Sequence, residues 1–225
     1  MSSNLKKFSE QLRLEADAIW EASFRHPFVT GIGDGSLPLA AFRHYLLNDA
    51  YYLSQFARVQ AIGAAKAHDL HTVGRMAAHV QGTYGAELSL HEKFAAKLGI
   101  TAEERAAFVP APSAYAYTTH MLSAAYSGQL GDILAAILPC YWLYYEIGEK
   151  LKGLKPEVEV YREWIDAYGG EWFGELVREQ IERLDSIAEI VSEADRVRMK
   201  RHFLTSSRYE WMFWQMGYTQ EQWPV

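Results

Sequence analysis

The only cysteine of the chain, Cys140, lies in the segment Leu138-Pro139-Cys140-Tyr141-Trp142-Leu143-Tyr144-Tyr145. A thiolate is a strong nucleophile, but a free thiol is mostly protonated at neutral pH and needs a stabilising neighbour. Pro139 falls inside a helical pattern, where it removes a backbone hydrogen bond and presses on the preceding turn. Such a distortion costs about 3 kcal/mol and can aim the next side chain into a cavity. A lone cysteine among Tyr, Trp and Leu equally fits the role of a small buried hydrophobe. Tyr144, four residues on, shares its helix face. Two acids stand in similar company. Asp49 precedes Tyr52 by three residues in a stripe extended by Tyr45 and Phe56, and Glu210 precedes Phe213 by the same spacing. A carboxylate on an apolar face loses hydration, so unless it is paired its pKa rises and it becomes a proton donor near pH 7. The alternative role for both acids is to tie helices together through buried hydrogen bonds.

These side chains require helices to hold them, and helices are what the pattern predicts. Apolar residues recur at three- and four-residue steps in Phe42, Tyr45, Leu46, Tyr52, Leu53, Phe56 and Val59. The pattern returns in Leu88, His91, Phe94, Ala95 and Leu98, and again from Leu130 through Ile137, Tyr141 and Tyr145. Period-two strand segments with hairpin turns are absent. Thr101-x-x-Glu104 and Ser192-x-x-Asp195 read as helix starts, and Gly99 as a terminator before the first of them. Pro110 and Pro112 precede a helix over about 113–126, while 152–156 and Gly169-Gly170 are turns. By composition, Gly31 to Pro38 is a loop. The expectation is an all-α, single-domain helical bundle of about seven or eight helices spanning 1–225.

Composition removes several function classes. A net charge of −6 without a Lys/Arg stripe argues against nucleic acid as the main partner. One cysteine fits a reducing compartment, and the N-terminal stretch lacks the apolar core of a signal peptide. The longest nearly unbroken apolar run, Ile133 to Tyr145, is about 13 residues, short of the ~20 a spanning helix needs. A soluble cytoplasmic protein with no membrane partner follows as an expectation. An aromatic content of 14% suits a core, and also a pocket for a flat polar ring. The Gly31-x-Gly33-x-Gly35 spacing lacks the strand and βαβ context of a dinucleotide site. No Glu-x-x-His or His-Glu-x-x-His occurs, which removes the usual di-iron and zinc signatures. Glu87 and His91, four apart, read as a surface pair, and His26 as a helix cap or, less readily, a haem ligand.

Several segments in order carry a resemblance. Ser23 to Val29 with Gly31 to Gly35, Asp49-Ala50-Tyr51-Tyr52-Leu53, Leu138 to Gly148, Tyr168-Gly169-Gly170-Glu171-Trp172-Phe173 and Ser206 to Trp214 resemble the TenA (thiaminase II) family. The likeness runs from about Phe8 to Tyr218. It implies a haem-oxygenase-like fold without haem, assembled as a homotetramer. It also implies hydrolysis of 4-amino-5-aminomethyl-2-methylpyrimidine to the hydroxymethylpyrimidine and ammonia, and in many members cleavage of thiamine, with no metal or other cofactor.

Carried over residue by residue, the resemblance places the nucleophile on Cys140 and the proton donor on Glu210. It places the pyrimidine-binding carboxylate on Asp49 and a tyrosine that raises the cysteine's nucleophilicity on Tyr52. Tyr144 and Tyr168 match substrate-contacting tyrosines, and Tyr117 and Phe213 match aromatic pocket walls. No departure from the family pattern occurs at these positions. The principal alternative is a non-catalytic pyrimidine- or thiamine-binding regulatory protein in which Cys140 is structural. A DNA-binding activator and a haem or di-iron oxidase on the same fold are weaker alternatives.

Overall fold

The computed structural model describes residues 6–225, without the side chains of 86–88. Among the described residues there are twelve α-helices and no strands: α1 (Phe8–Glu15), α2 (Asp17–Phe24), α3 (Pro27–Asp34), α4 (Leu39–Ala65), α5 (Leu70–Gly82), α6 (Leu88–Lys97), α7 (Ala102–Ala106), α8 (Pro112–Ser127), α9 (Leu130–Leu151), α10 (Glu159–Tyr168), α11 (Glu171–Ile190) and α12 (Glu193–Thr219). A π-helical turn, Thr83–Glu87, joins α5 directly to α6. The number exceeds the expected seven or eight because short helices follow one another with little between them; Ala16 alone separates α1 from α2. None of these helices is long and apolar enough to cross a membrane.

Helix α9 is the axis of the molecule. Ile133 to Leu138 are at most 1% exposed, because the helix packs against α12, α11, α8, α10 and α4. An apolar surface all round is what such a central position demands. Pro139 lies inside α9, as the sequence predicts, and the carbonyl of Ala136 in the disturbed turn accepts a hydrogen bond from the Ser206 hydroxyl of α12 at 2.7 Å. The N-terminus of α9 is pinned to α12 as well: buried Asp132 caps Gln129 N at 2.7 Å and pairs with Arg198 at 2.8 and 3.0 Å. Both expected helix starts, at Thr101 and Ser192, are capping boxes.

The expected loop from Gly31 to Pro38 is a correction. Gly31 to Asp34 complete α3, which begins at Pro27 with His26 as its cap; His26 Nδ1 accepts from Phe28 N at 3.1 Å. The glycines there serve close packing. A β-carbon on Gly31 would stand 3.0 Å from Leu37 N, and one on Gly33 2.9 Å from Leu151 Cδ2. Only Gly35, with φ of 80°, terminates the helix by adopting the left-handed conformation. The side chain of Glu87, read as the partner of His91, lies outside the described residues.

Gly148 marks the closest approach of α9 to the corner between α10 and α11. A β-carbon there would fall 2.4 Å from both Gly169 N and the carbonyl carbon of Tyr168, and neither backbone atom can yield without moving the corner. Gly148→Ala is therefore expected to cost about 2 kcal/mol, within the range for overpacking, and to lower Tm by roughly 4–8 °C. Thermal unfolding followed by circular dichroism checks it; an unchanged Tm would mean that the corner is compliant.

Candidate active site

Five helices deliver the eight residues singled out in the sequence. Asp49 and Tyr52 lie about one turn apart on α4, and Cys140 and Tyr144 repeat that relation on α9. Tyr117 comes from α8, Tyr168 is the last residue of α10, and Glu210 and Phe213 share a face of α12. The ring of Tyr52 lies 5.1 Å from Tyr117 and 5.6 Å from Phe213, and Tyr144 lies 4.9 Å from Tyr168. All eight belong to one contiguous cluster.

Within the cluster they divide into two layers. Asp49, Cys140, Tyr144 and Tyr168 line a cavity of about 30 Å³, whose other walls include Leu53, Phe56, Thr83, Tyr141 and Phe173. Cys140 is half-buried at its edge, packed against the core. Tyr52, Tyr117, Glu210 and Phe213 are not among these walls. Tyr117 and Phe213, read as aromatic pocket walls, pack around Tyr52 in the deeper layer. Outside the cavity, Tyr168 and Phe173 also bound an open depression of about 540 Å³ that includes Leu90, Lys93 and Trp172.

The deeper layer links the acid to the sulfur. Tyr117 OH shares a 2.5 Å hydrogen bond with Glu210 Oε1. Tyr52 OH donates to Met121 Sδ at 3.4 Å, while Tyr117 and Cys140 lie near enough to act on its hydroxyl. Tyr52 thereby stands between the Glu210–Tyr117 pair and Cys140. Burial is the first cause that holds the Tyr52 and Tyr117 hydroxyls well above 10; the neighbouring Cys140 leads the remaining causes at Tyr52, and Glu210 at Tyr117. Both phenols are therefore neutral donors at physiological pH.

The two acids have different surroundings. Glu210, 1% exposed, is pushed up to about 8, by burial first and by the charge of Asp49 in addition, against the hydrogen bond from Tyr117. It is a proton carrier at neutral pH. Asp49, 4% exposed, has a potential cationic partner instead. His91 Nε2 lies 2.8 Å from its Oδ2, and Tyr45 OH donates to the same oxygen at 3.2 Å. Tyr45 OH is in turn 3.4 Å from both Trp164 Nε1 and Tyr144 OH. Among the described residues no group of three or more His, Cys, Asp or Glu could hold a metal ion.

Sequence reasoning did not assign Thr83 to the cavity or His91 to Asp49. In an α-helix, residues eight apart are about 80° out of phase, so Thr83 and His91 do not share a face by spacing. The π turn between them takes up one extra residue per turn and brings both toward α4. Nothing in the local residue types announces it. Phe173, by contrast, lies in the segment that carried the family resemblance, and Leu53 and Phe56 follow Asp49 at the four- and seven-residue positions.

The same arrangement of helices recurs in solved structures. A TenA homologue from P. horikoshii OT3 superposes with a TM-score of 0.88 at 30% identity, covering 95% of this chain and 99% of that one. A Shewanella denitrificans domain with a haem-oxygenase-like fold gives 0.71 at 15% identity, covering 98% of this chain and 94% of that one, a likeness of fold alone. Among sequences, an aminopyrimidine aminohydrolase of Bacillus subtilis strain 168 is 55% identical over 217 residues, spanning 96% of this chain and 92% of its own. Another, from Halalkalibacterium halodurans, is 42% identical over 218 residues, 96% of this chain and 97% of its own. With its helical order, its buried acid pair and a match to the TENA/THI-4/PQQC model over residues 13–220, the chain belongs to that family.

Proposed function

We propose that this chain hydrolyses 4-amino-5-aminomethyl-2-methylpyrimidine to the hydroxymethylpyrimidine and ammonia, in the salvage of thiamine. Cleavage of thiamine at the bond joining pyrimidine to thiazole follows from the same chemistry, because only the leaving group differs. Residues 1–225 act as one catalytic domain in a cytoplasmic homotetramer, with no cofactor. The observation that carries the reading is that Cys140 and Asp49 line one cavity, with the buried Glu210–Tyr117 hydrogen bond in the same cluster.

An aminopyrimidine resists attack because addition disrupts its aromaticity. Asp49 on the amidine-like edge accepts from the exocyclic amino group and favours protonation of the ring, which lowers that barrier. With the Tyr52 hydroxyl donating to it, the Cys140 thiolate adds to the ring carbon next to the one bearing the methylene. Electrons flow from the adduct to the exocyclic carbon, the C–N bond breaks, and Glu210, which lies behind the cavity wall until the ring enters, delivers the proton that lets ammonia leave neutral. Water then adds to the methylene and returns its proton to Glu210. The ring recovers its aromaticity as the C–S bond breaks, so the net change is amine plus water to alcohol plus ammonia. Tyr144 and Tyr168 hold the flat ring, with stacking worth about 1 kcal/mol per contact.

Two outcomes test this reading. Cys140→Ser is expected to lower kcat on the aminomethylpyrimidine by at least about 10³-fold while still binding the hydroxymethyl product. Full turnover by that variant would sink covalent catalysis, and a wild type that binds without turnover would make the protein a sensor. For Glu210, a donor must be protonated, so wild-type kcat should fall as pH rises through about 8. Glu210→Gln should be slower by about 10²-fold or more and lack that fall. The same group acts on stability. Between the ordinary 4.5 and about 8 the folded chain keeps a proton that the unfolded chain has released, so stability declines as pH rises through this window. Glu210→Gln should flatten the decline in Tm between pH 5 and pH 8; a parallel decline in the variant would place the cause elsewhere.

A further inference from the structure

Asp49 faces the cavity with one side and is gripped from the other. His91 on α6 is 6% exposed and is not part of the cavity wall. Its Nε2 approaches Asp49 Oδ2 at 2.8 Å, and since a carboxylate oxygen accepts, that nitrogen carries the hydrogen. Tyr45 OH donates to the same Oδ2 at 3.2 Å. Neither donor takes Oδ1. A carboxylate turning about its last torsion would exchange its two oxygens, and two donors converging on one of them remove that freedom.

A purely structural tie between α4 and α6 is the competing account. Those helices are already joined by apolar contact, Phe42 edge-on to Phe94 at 6.0 Å. The imidazole is also costly to bury for that purpose alone, because a hydrocarbon would fill the place without desolvating a ring nitrogen. Moreover, the side of His91 remote from Asp49 borders a second cavity of about 140 Å³ walled by Leu46, Ala95 and Ile100, so tight packing is not what fixes it. What His91 does that an apolar residue cannot is hold a carboxylate by one chosen oxygen.

We infer that His91 is a positioning residue for pyrimidine recognition, its Nε2–H holding Asp49 by Oδ2 so that Oδ1 is presented to the amino group on the ring's amidine-like edge. The role rests on the function proposed above. It acts only through Asp49, and the π turn that rotates α6 is what makes it geometrically available.

The test is a double-mutant cycle read by calorimetric binding of 4-amino-5-hydroxymethyl-2-methylpyrimidine, with kcat and KM measured alongside. His91→Leu should weaken binding by about tenfold or more, the loss typical of a hydrogen bond to a charged group. His91→Gln, which keeps an N–H donor, should recover most of it. In a background of Asp49→Asn, adding His91→Leu should change affinity by less than about twofold, because the partner it positions is gone. An equal loss in both backgrounds would make His91 a structural tie, and no loss in either would leave it without a role. If His91→Leu fails to fold, His91→Phe in the same two backgrounds reads the same coupling. A wild type that neither binds nor turns over the pyrimidine overturns the proposed function and this role together. One that does both, without coupling between positions 49 and 91, overturns only the role of His91.

Discussion

Two carboxyl groups share one almost water-free region, and that constraint governs the rest of the site. Asp49 and Glu210 are 4% and 1% exposed, and the charge of Asp49 raises the cost of charging Glu210. The structure distinguishes the two by their neighbours. It supplies an imidazole nitrogen and a phenol to Asp49 but only a phenol to Glu210. Glu210 consequently holds its proton up to about 8. The side chains are chemically alike, and it is the difference in neighbours that makes Glu210 the proton carrier.

The distinction survives only if the helices cannot relax around it. A buried acid deprived of its partner would draw in water or shift its helix, and either would return its pKa toward the ordinary value. Helix α9 resists this by being enclosed on every side, with Asp132 and Arg198 fixing its start and Gly148 fixing its approach to Gly169. Pro139 denies the carbonyl of Ala135 its N–H partner, and in the same turn the neighbouring carbonyl of Ala136 is held by Ser206. Ser206 and Glu210 are four residues apart on α12, so the helix that steadies that turn also carries the acid.

Regular geometry explains how much of this was legible in the sequence. On α4 and α9 the three- and four-residue steps that place Asp49 with Tyr52 and Cys140 with Tyr144 hold without interruption, and those pairs converge as expected. His91 and Thr83 were opaque because their shared face depends on a π turn, a departure from α spacing that residue types do not encode. Gly31 and Gly33 misled for a related reason. Glycine marks loops on average, but here it admits Leu37, Leu151 and Leu154 against the surface of a helix, a tertiary demand invisible to local composition. The two-layer division was also hidden, since spacing tells which residues share a face and not how deep each one lies. Tyr117 and Phe213 are therefore in the right cluster but in its inner layer.

Depth also determines how a ring reaches the sulfur. A cavity of about 30 Å³ has room for only two or so waters, so a pyrimidine enters by displacing a wall. Most walls stand on α4 and α9, whose neighbours leave no space to move into. Tyr168 and Phe173 differ, because both also border the open depression of about 540 Å³ outside. They flank Gly169 and Gly170 at the corner between α10 and α11, and the close contact of Gly169 with Gly148 holds that backbone. Tyr168 and Phe173 are thus the part of the wall shared by the cavity and the open depression. Their edge-to-face contact at 5.3 Å joins the two rings, and Tyr168 also packs on Tyr144 and Trp164 at 4.9 and 4.7 Å, so this wall is an aromatic stack continuous with the site.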